Sequence, residues 1–187
     1  MQISVRAFVS AIHGLLFGGF FLLTAFGVLV ELSRSINAAQ PSELTGRGRS
    51  LATFYLCVTA ILGWAAVFAG TYIVYPWYRA IPPAGAALTG FPQSLLLASS
   101  TTSGWHRLGM EWKEHLAWFA PMLITAVAYV MIKQRSAIAK HPQVRRAVLT
   151  FALVAFASAG IAAFFGAMIN KHAPVKGGSE IHFLKEP

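Results

Sequence analysis

The 187 residues combine 56% hydrophobic side chains with only 11% charged ones, and the mean hydropathy is +0.60. That composition excludes a soluble globular domain and indicates a membrane protein. The net charge of +9 comes from 15 Lys and Arg scattered through segments that flank apolar blocks, which argues against a nucleic-acid partner and for a report on membrane orientation.

Four apolar blocks lie near 6–30, 51–75, 114–132 and 147–169. Each approaches the roughly 20 residues that a helix needs to cross ~30 Å of hydrocarbon. The first, AFVSAIHGLLFGGFFLLTAFGVLV, follows Arg6 and resembles a signal peptide at its start, but it runs on past the 7–15 residues typical of such a core. The second, LATFYLCVTAILGWAAVFAGTYIVY, is expected to stop at Pro76, where Tyr72, Tyr75, Trp77 and Tyr78 have the composition of an interfacial belt. Its Cys57, the single cysteine, excludes an intrachain disulfide and is expected to be a small buried apolar side chain.

The connection over 76–111 holds Pro82, Pro83 and Pro92 with several glycines and predicts turns or extended backbone, with FPQSLLLASS lying on the surface at most. The third block opens at EWKEHLAWFAP, and Pro121 predicts a local kink. The fourth follows His141-Pro142 and gives way to a polar tail, 170–187. The expected fold is therefore an all-α integral membrane protein, a four-helix transmembrane bundle forming one domain over 1–187.

Loops 31–50 and 133–146 carry eight basic residues: Arg34, Arg47, Arg49, Lys133, Arg135, Lys140, Arg145 and Arg146. The other seven are spread over longer segments. Basic residues concentrate on the cytoplasmic side, so both termini are expected on the outer, periplasmic side of a bacterial inner membrane.

With that topology His13, His106, His115, His172 and His182 lie at or near the outer face, and only His141 is cytoplasmic. His13 and His115 fall at comparable shallow depth in the first and third blocks. An ionisable side chain inside a span is costly and marks a cofactor, proton path or ion site. Neutral imidazole ligates haem iron, and a four-helix bundle encloses a flat apolar macrocycle. Haem b near the outer leaflet is therefore expected, and the general layout resembles small four-helix membrane cytochromes. His13 and His115 are the expected iron ligands, with His172 the alternative. Gly14 and Gly18 leave space for the porphyrin edge, or serve only close helix packing, and Phe17 and Trp118 wall it.

Glu114 is a candidate proton acceptor beside a bound quinol, in a charged cluster with Glu111, Lys113 and His115. Glu111 and Lys113 read as wet interfacial anchors. The run from His106 to His115 also gathers imidazole, thioether and carboxylate suited to copper. No GxGxxG, Walker A, HExxH or GxSxG sequence occurs, so nucleotide and hydrolase chemistry have no support.

The function expected first is a haem-bearing subunit that passes electrons between the quinone pool and a periplasmic redox partner such as a cytochrome. It would contact the lipid bilayer and other subunits, with the tail HAPVKGGSEIHFLKEP as docking surface. A cofactor-free accessory subunit of a respiratory or photosynthetic complex is the alternative, and a copper-handling protein the third.

Overall fold

The computed structural model describes residues 2–37, 46–134, 138 and 140–182. The basic loop residues Arg47 and Arg49 have no described side chains, and Arg135 and the tail residues 183–187 lie outside the described residues. The chain is mostly helical, with four helices long and apolar enough to cross a membrane: Val5–Arg34, Ser50–Tyr78, Ser103–Lys133 and Pro142–His172. Their outer surfaces are apolar, with Leu15, Leu23, Phe54, Ile61 and Phe164 each more than half exposed, which is consistent with contact with a lipid bilayer. Cys57 shares that outer surface, which corrects its expected burial.

The third helix starts at Ser103 rather than near 114. Its first turns, SGWHRLGME, are amphipathic and carry too many polar residues to register as an apolar block. They are held by one face: Gly109 and Met110 are buried, and the Phe165 ring of the fourth helix lies against Gly109. His106 and Glu111 consequently sit on a helix and not in a loop. The remaining connection contains a short helix, Pro92–Leu97, whose Leu96 is 1% exposed. Leu96 packs with Tyr78, Met110, Ile169, Ala173 and Val175 to close one end of the bundle.

Even numbers of crossings return the termini to the same end. There, Gln2–Ser4 and Glu180–His182 form a two-stranded antiparallel ribbon with Ile3 opposite Ile181. The reversal into it uses Gly177 and Gly178, whose φ angles of 102° and 84° are strained for any residue with a Cβ. The Arg6 guanidinium lies over the Trp77 ring, 5.6 Å from its centroid. Part of the tail is thus committed to pairing within the chain.

The opposite half of the bundle is densely packed. Phe21, Ala25, Val28 and Leu32 meet Leu56, Ile124, Val127, Ala152 and Ala155 in one apolar cluster. In hydrocarbon no hydrophobic effect drives helices together, so close packing of small residues carries the association. The fourth helix supplies them at helical spacing, with Ala152, Ala155, Ser158 and Ala162 all buried. Ser158 Oγ donates to the Leu116 carbonyl at 2.5 Å and Trp112 Nε1 donates to the Ser158 carbonyl at 3.1 Å, tying the third helix to the fourth.

Three spans contain a π-helical segment: Ile12–Gly19, Gly70–Val74 and Trp112–Leu116. Wide turns of this kind interrupt the regular backbone bonding and often occur at functional positions. Two of them precede prolines, Pro76 and Pro121, which lack the N–H that a regular helix would use. The second helix therefore continues through Pro76 to Tyr78 instead of stopping there.

Candidate functional site

The three π-helical segments lie toward the end where the termini meet, and none of their residues is fully buried. Beneath them the bundle is sealed by Phe21, whose ring edge leaves room for no more than a hydrogen at Gly63; a Cβ there would lie 2.9 Å from Phe21 Cε2 and 3.4 Å from Pro121 Cα. The apolar cluster of buried residues lies on the far side of this contact from the termini.

Two ionisable side chains lie against glycines of neighbouring helices. His13 projects from the first helix against Gly70 of the second, where a Cβ would sit 2.7 Å from the ring carbon Cε1. The Ala66 carbonyl hydrogen-bonds the ring, while the buried Nδ1 has no partner among the described residues. A carbonyl can only accept, so Nε2 carries the proton and Nδ1 presents a lone pair. Lys113 extends from the third helix to Gly166 of the fourth, with Nζ 3.1 Å from the position a Cβ would take. Its ammonium lies within electrostatic range of the His13 ring. His115 pairs with Glu111, and Lys113 has no carboxylate partner among the described residues. All four helices contribute: two supply the polar groups, and two supply the glycines that admit them.

Beside this centre, Glu114 points to a different place. It lines a cavity of about 350 Å³ with Arg79, His106, Arg107, Met110 and Glu111. Tyr75 is hydrogen-bonded to Glu114 and accepts from Arg79 Nη1 at 2.5 Å, and this bond holds the exposed guanidinium above its usual pKa. The Tyr78 hydroxyl and His106 Nδ1 are 2.7 Å apart.

The residues expected to bind haem are not gathered in one place. His115 is 67% exposed, with Nδ1 3.1 Å from the Glu111 carbonyl and 3.4 Å from its carboxylate, on the outside of the bundle. The π-helical turn instead directs Lys113 inward. His172 is exposed and stacks on Trp105 at 6.1 Å between ring centroids, and His106 is committed to Tyr78. Trp118 packs edge-on against Trp64 and Phe68, Phe17 is half-buried, Gly14 faces open space, and Gly18 lies 3.5 Å from the His13 carbonyl. The chain as arranged does not present two imidazoles to one iron, so its residues do not fit a two-histidine haem. For copper, no group of three His, Cys, Asp or Glu suited to a metal ion occurs among the described residues.

Sequence reasoning missed Lys113 as an interior residue, together with Gly70 and Gly166. The available signal was depth: Lys113, like His13, lies more than two turns inside a helix once that helix is known to start at Ser103. No protein-family model, curated protein or solved structure matches this chain.

Proposed function

We propose that this protein is a quinone-binding membrane subunit of an electron-transfer assembly, with both termini and the binding site toward the periplasm of a bacterial inner membrane. The observation that carries the reading is the unpartnered, buried Nδ1 of His13, with the Lys113 ammonium, which has no carboxylate partner among the described residues, within electrostatic range of its ring. A quinone is an amphiphile with two oxygen acceptors, and a quinol has two O–H donors. Nδ1 accepts a quinol hydroxyl, and Lys113 donates to the opposite oxygen in either redox state. The electrons leave to a redox partner at the same face.

A ligand site suits this interior better than a transport path. Phe21, with Ile124 and Ala155 fully buried below it, makes the described residues of that half a mainly apolar barrier. The test is extraction of the full chain in mild detergent, assay of co-purified lipophilic quinone, and titration of the stripped protein with a short-chain quinone. Wild type is expected to retain quinone and rebind it. His13→Leu and Lys113→Met should each weaken binding at least about tenfold, since a hydrogen bond to a charged or buried group contributes roughly 1.5–3 kcal/mol. Absence of bound quinone together with no rebinding overturns the proposal. A b-type band in the reduced-minus-oxidised spectrum would replace it with the cytochrome reading.

A further inference from the structure

We propose that the cavity lined by Arg79, His106, Arg107, Met110, Glu111 and Glu114 binds a phosphoethanolamine group, taking its phosphate on the two guanidiniums and its primary ammonium on the two carboxylates. Neither His13 nor Lys113 lines it, so this site and the quinone centre stand or fall separately. Arg107, Glu111 and Glu114 follow one another at four and three residues on the third helix, the spacing that brings side chains to one side of a helix. Arg79, one residue past the end of the second long apolar helix, adds a charge from a second element. His106 is held on the wall by its 2.7 Å contact with the Tyr78 hydroxyl and lies within electrostatic range of all four charges, which places them around one space.

The charges are gathered without direct pairing. Among the described residues no salt bridge joins either arginine to either glutamate. Tyr75 instead links Arg79 to Glu114, accepting from the guanidinium and hydrogen-bonded to the carboxylate. A guanidinium has five N–H donors and a carboxylate about four acceptor sites, so one bond to Tyr75 leaves most of each group's capacity for a ligand. Two positive and two negative groups also select by charge type: a simple anion meets the carboxylates, a simple cation meets the guanidiniums, and a zwitterion satisfies both. Phosphate matches the planar guanidinium fork, and a primary ammonium gives three N–H donors to carboxylates.

Size and surroundings agree with a headgroup. The volume of about 350 Å³ is at the small end of ligand pockets, which span roughly 300–1,000 Å³, and Met110 is the single apolar side chain in the lining. An acyl chain or quinone ring finds little to bury against there. Arg79, Arg107 and Glu111 are exposed, so the space is open to the outside. It lies beside Tyr75 and Tyr78, part of a cluster with the composition of a membrane–water boundary, where such a group arrives on a phospholipid or as a free ester.

The test is native mass spectrometry of the full chain, stripped of lipid in mild detergent and titrated with phosphatidylethanolamine, phosphatidylcholine, phosphatidylglycerol and free O-phosphoethanolamine. Wild type is expected to take up one phosphatidylethanolamine at least about tenfold more tightly than either other lipid. Displacement of that lipid by free O-phosphoethanolamine at equal concentration assigns the soluble ester as the ligand, and retention of the lipid assigns the phospholipid. Arg79→Gln should weaken phosphatidylethanolamine at least about tenfold. Glu114→Gln should do the same while binding phosphatidylglycerol more tightly than wild type does, a reversal that a merely structural glutamate would not give. Glu111→Gln, at an exposed position, should show the same reversal and decides the matter where Glu114→Gln does not fold. Arg34→Gln, at the far end of the first helix, should match wild type. Equal affinity for the three lipids, no adduct on wild type, or a uniform loss of every lipid in folded glutamate variants overturns the proposal.

Discussion

Lys113 offers the sharpest measurement because its structural and functional roles have opposite signs. The ammonium lies among four helices with no carboxylate partner, and the glycine at 166 is what admits its end. A lysine at the centre of a span costs roughly 2.5–3.5 kcal/mol on insertion scales. Replacing it with methionine keeps the unbranched length and removes the charge, so Lys113→Met should stabilise the ligand-free protein by about 2 kcal/mol, somewhat less than the full central penalty because Lys113 lies toward one end of the Ser103–Lys133 helix. For a chain of this size each kcal/mol moves Tm by about 2–4 °C, which gives a rise of roughly 4–8 °C. The assay is thermal unfolding of stripped wild type and variant in the same detergent, followed by intrinsic fluorescence. Gain of stability with loss of quinone binding is the signature of a functional group held at a cost. A lower Tm for Lys113→Met would refute the reasoning, because it would mean that the ammonium is satisfied by bonds whose loss outweighs desolvation.

Three other variants probe the frame around the site. Gly70→Ala places a methyl 2.7 Å from His13 Cε1 and should cost about 1–3 kcal/mol by overpacking while displacing the ring, so both Tm and quinone affinity fall. Ala155→Leu enlarges a fully buried contact in the dense half and should lower Tm by a similar amount with affinity retained in the folded fraction. Ser158→Ala removes the donor to the Leu116 carbonyl; interhelical bonds of this kind average about 0.6 kcal/mol in membranes, so a Tm change of about 1–2 °C is expected in the same unfolding assay.

The four long apolar helices were legible because they depend only on length and apolarity, which accumulate one residue at a time along the chain. The same is true of the termini sharing one end, since four crossings permit nothing else. His13 stood out for an equally local reason: it is an imidazole within an apolar block, and the structure places its Nδ1 in the interior. The start of the third helix at Ser103 was not, because its first turns are amphipathic and are fixed only by Gly109 and Met110 packing on the fourth helix.

The sequence by itself therefore determined four long apolar helices and the one imidazole set within the first of them. Tertiary structure alone decided which residue answers His13. The third block offers Lys113, Glu114 and His115 in succession, three candidates separated by small rotations. The π-helical turn and the space at Gly166 select Lys113 for the interior, send Glu114 to the cavity and leave His115 outside. Rotation of a helix about its own axis is set by the shapes of its neighbours, and hydropathy along a single chain carries too little of that information to fix it.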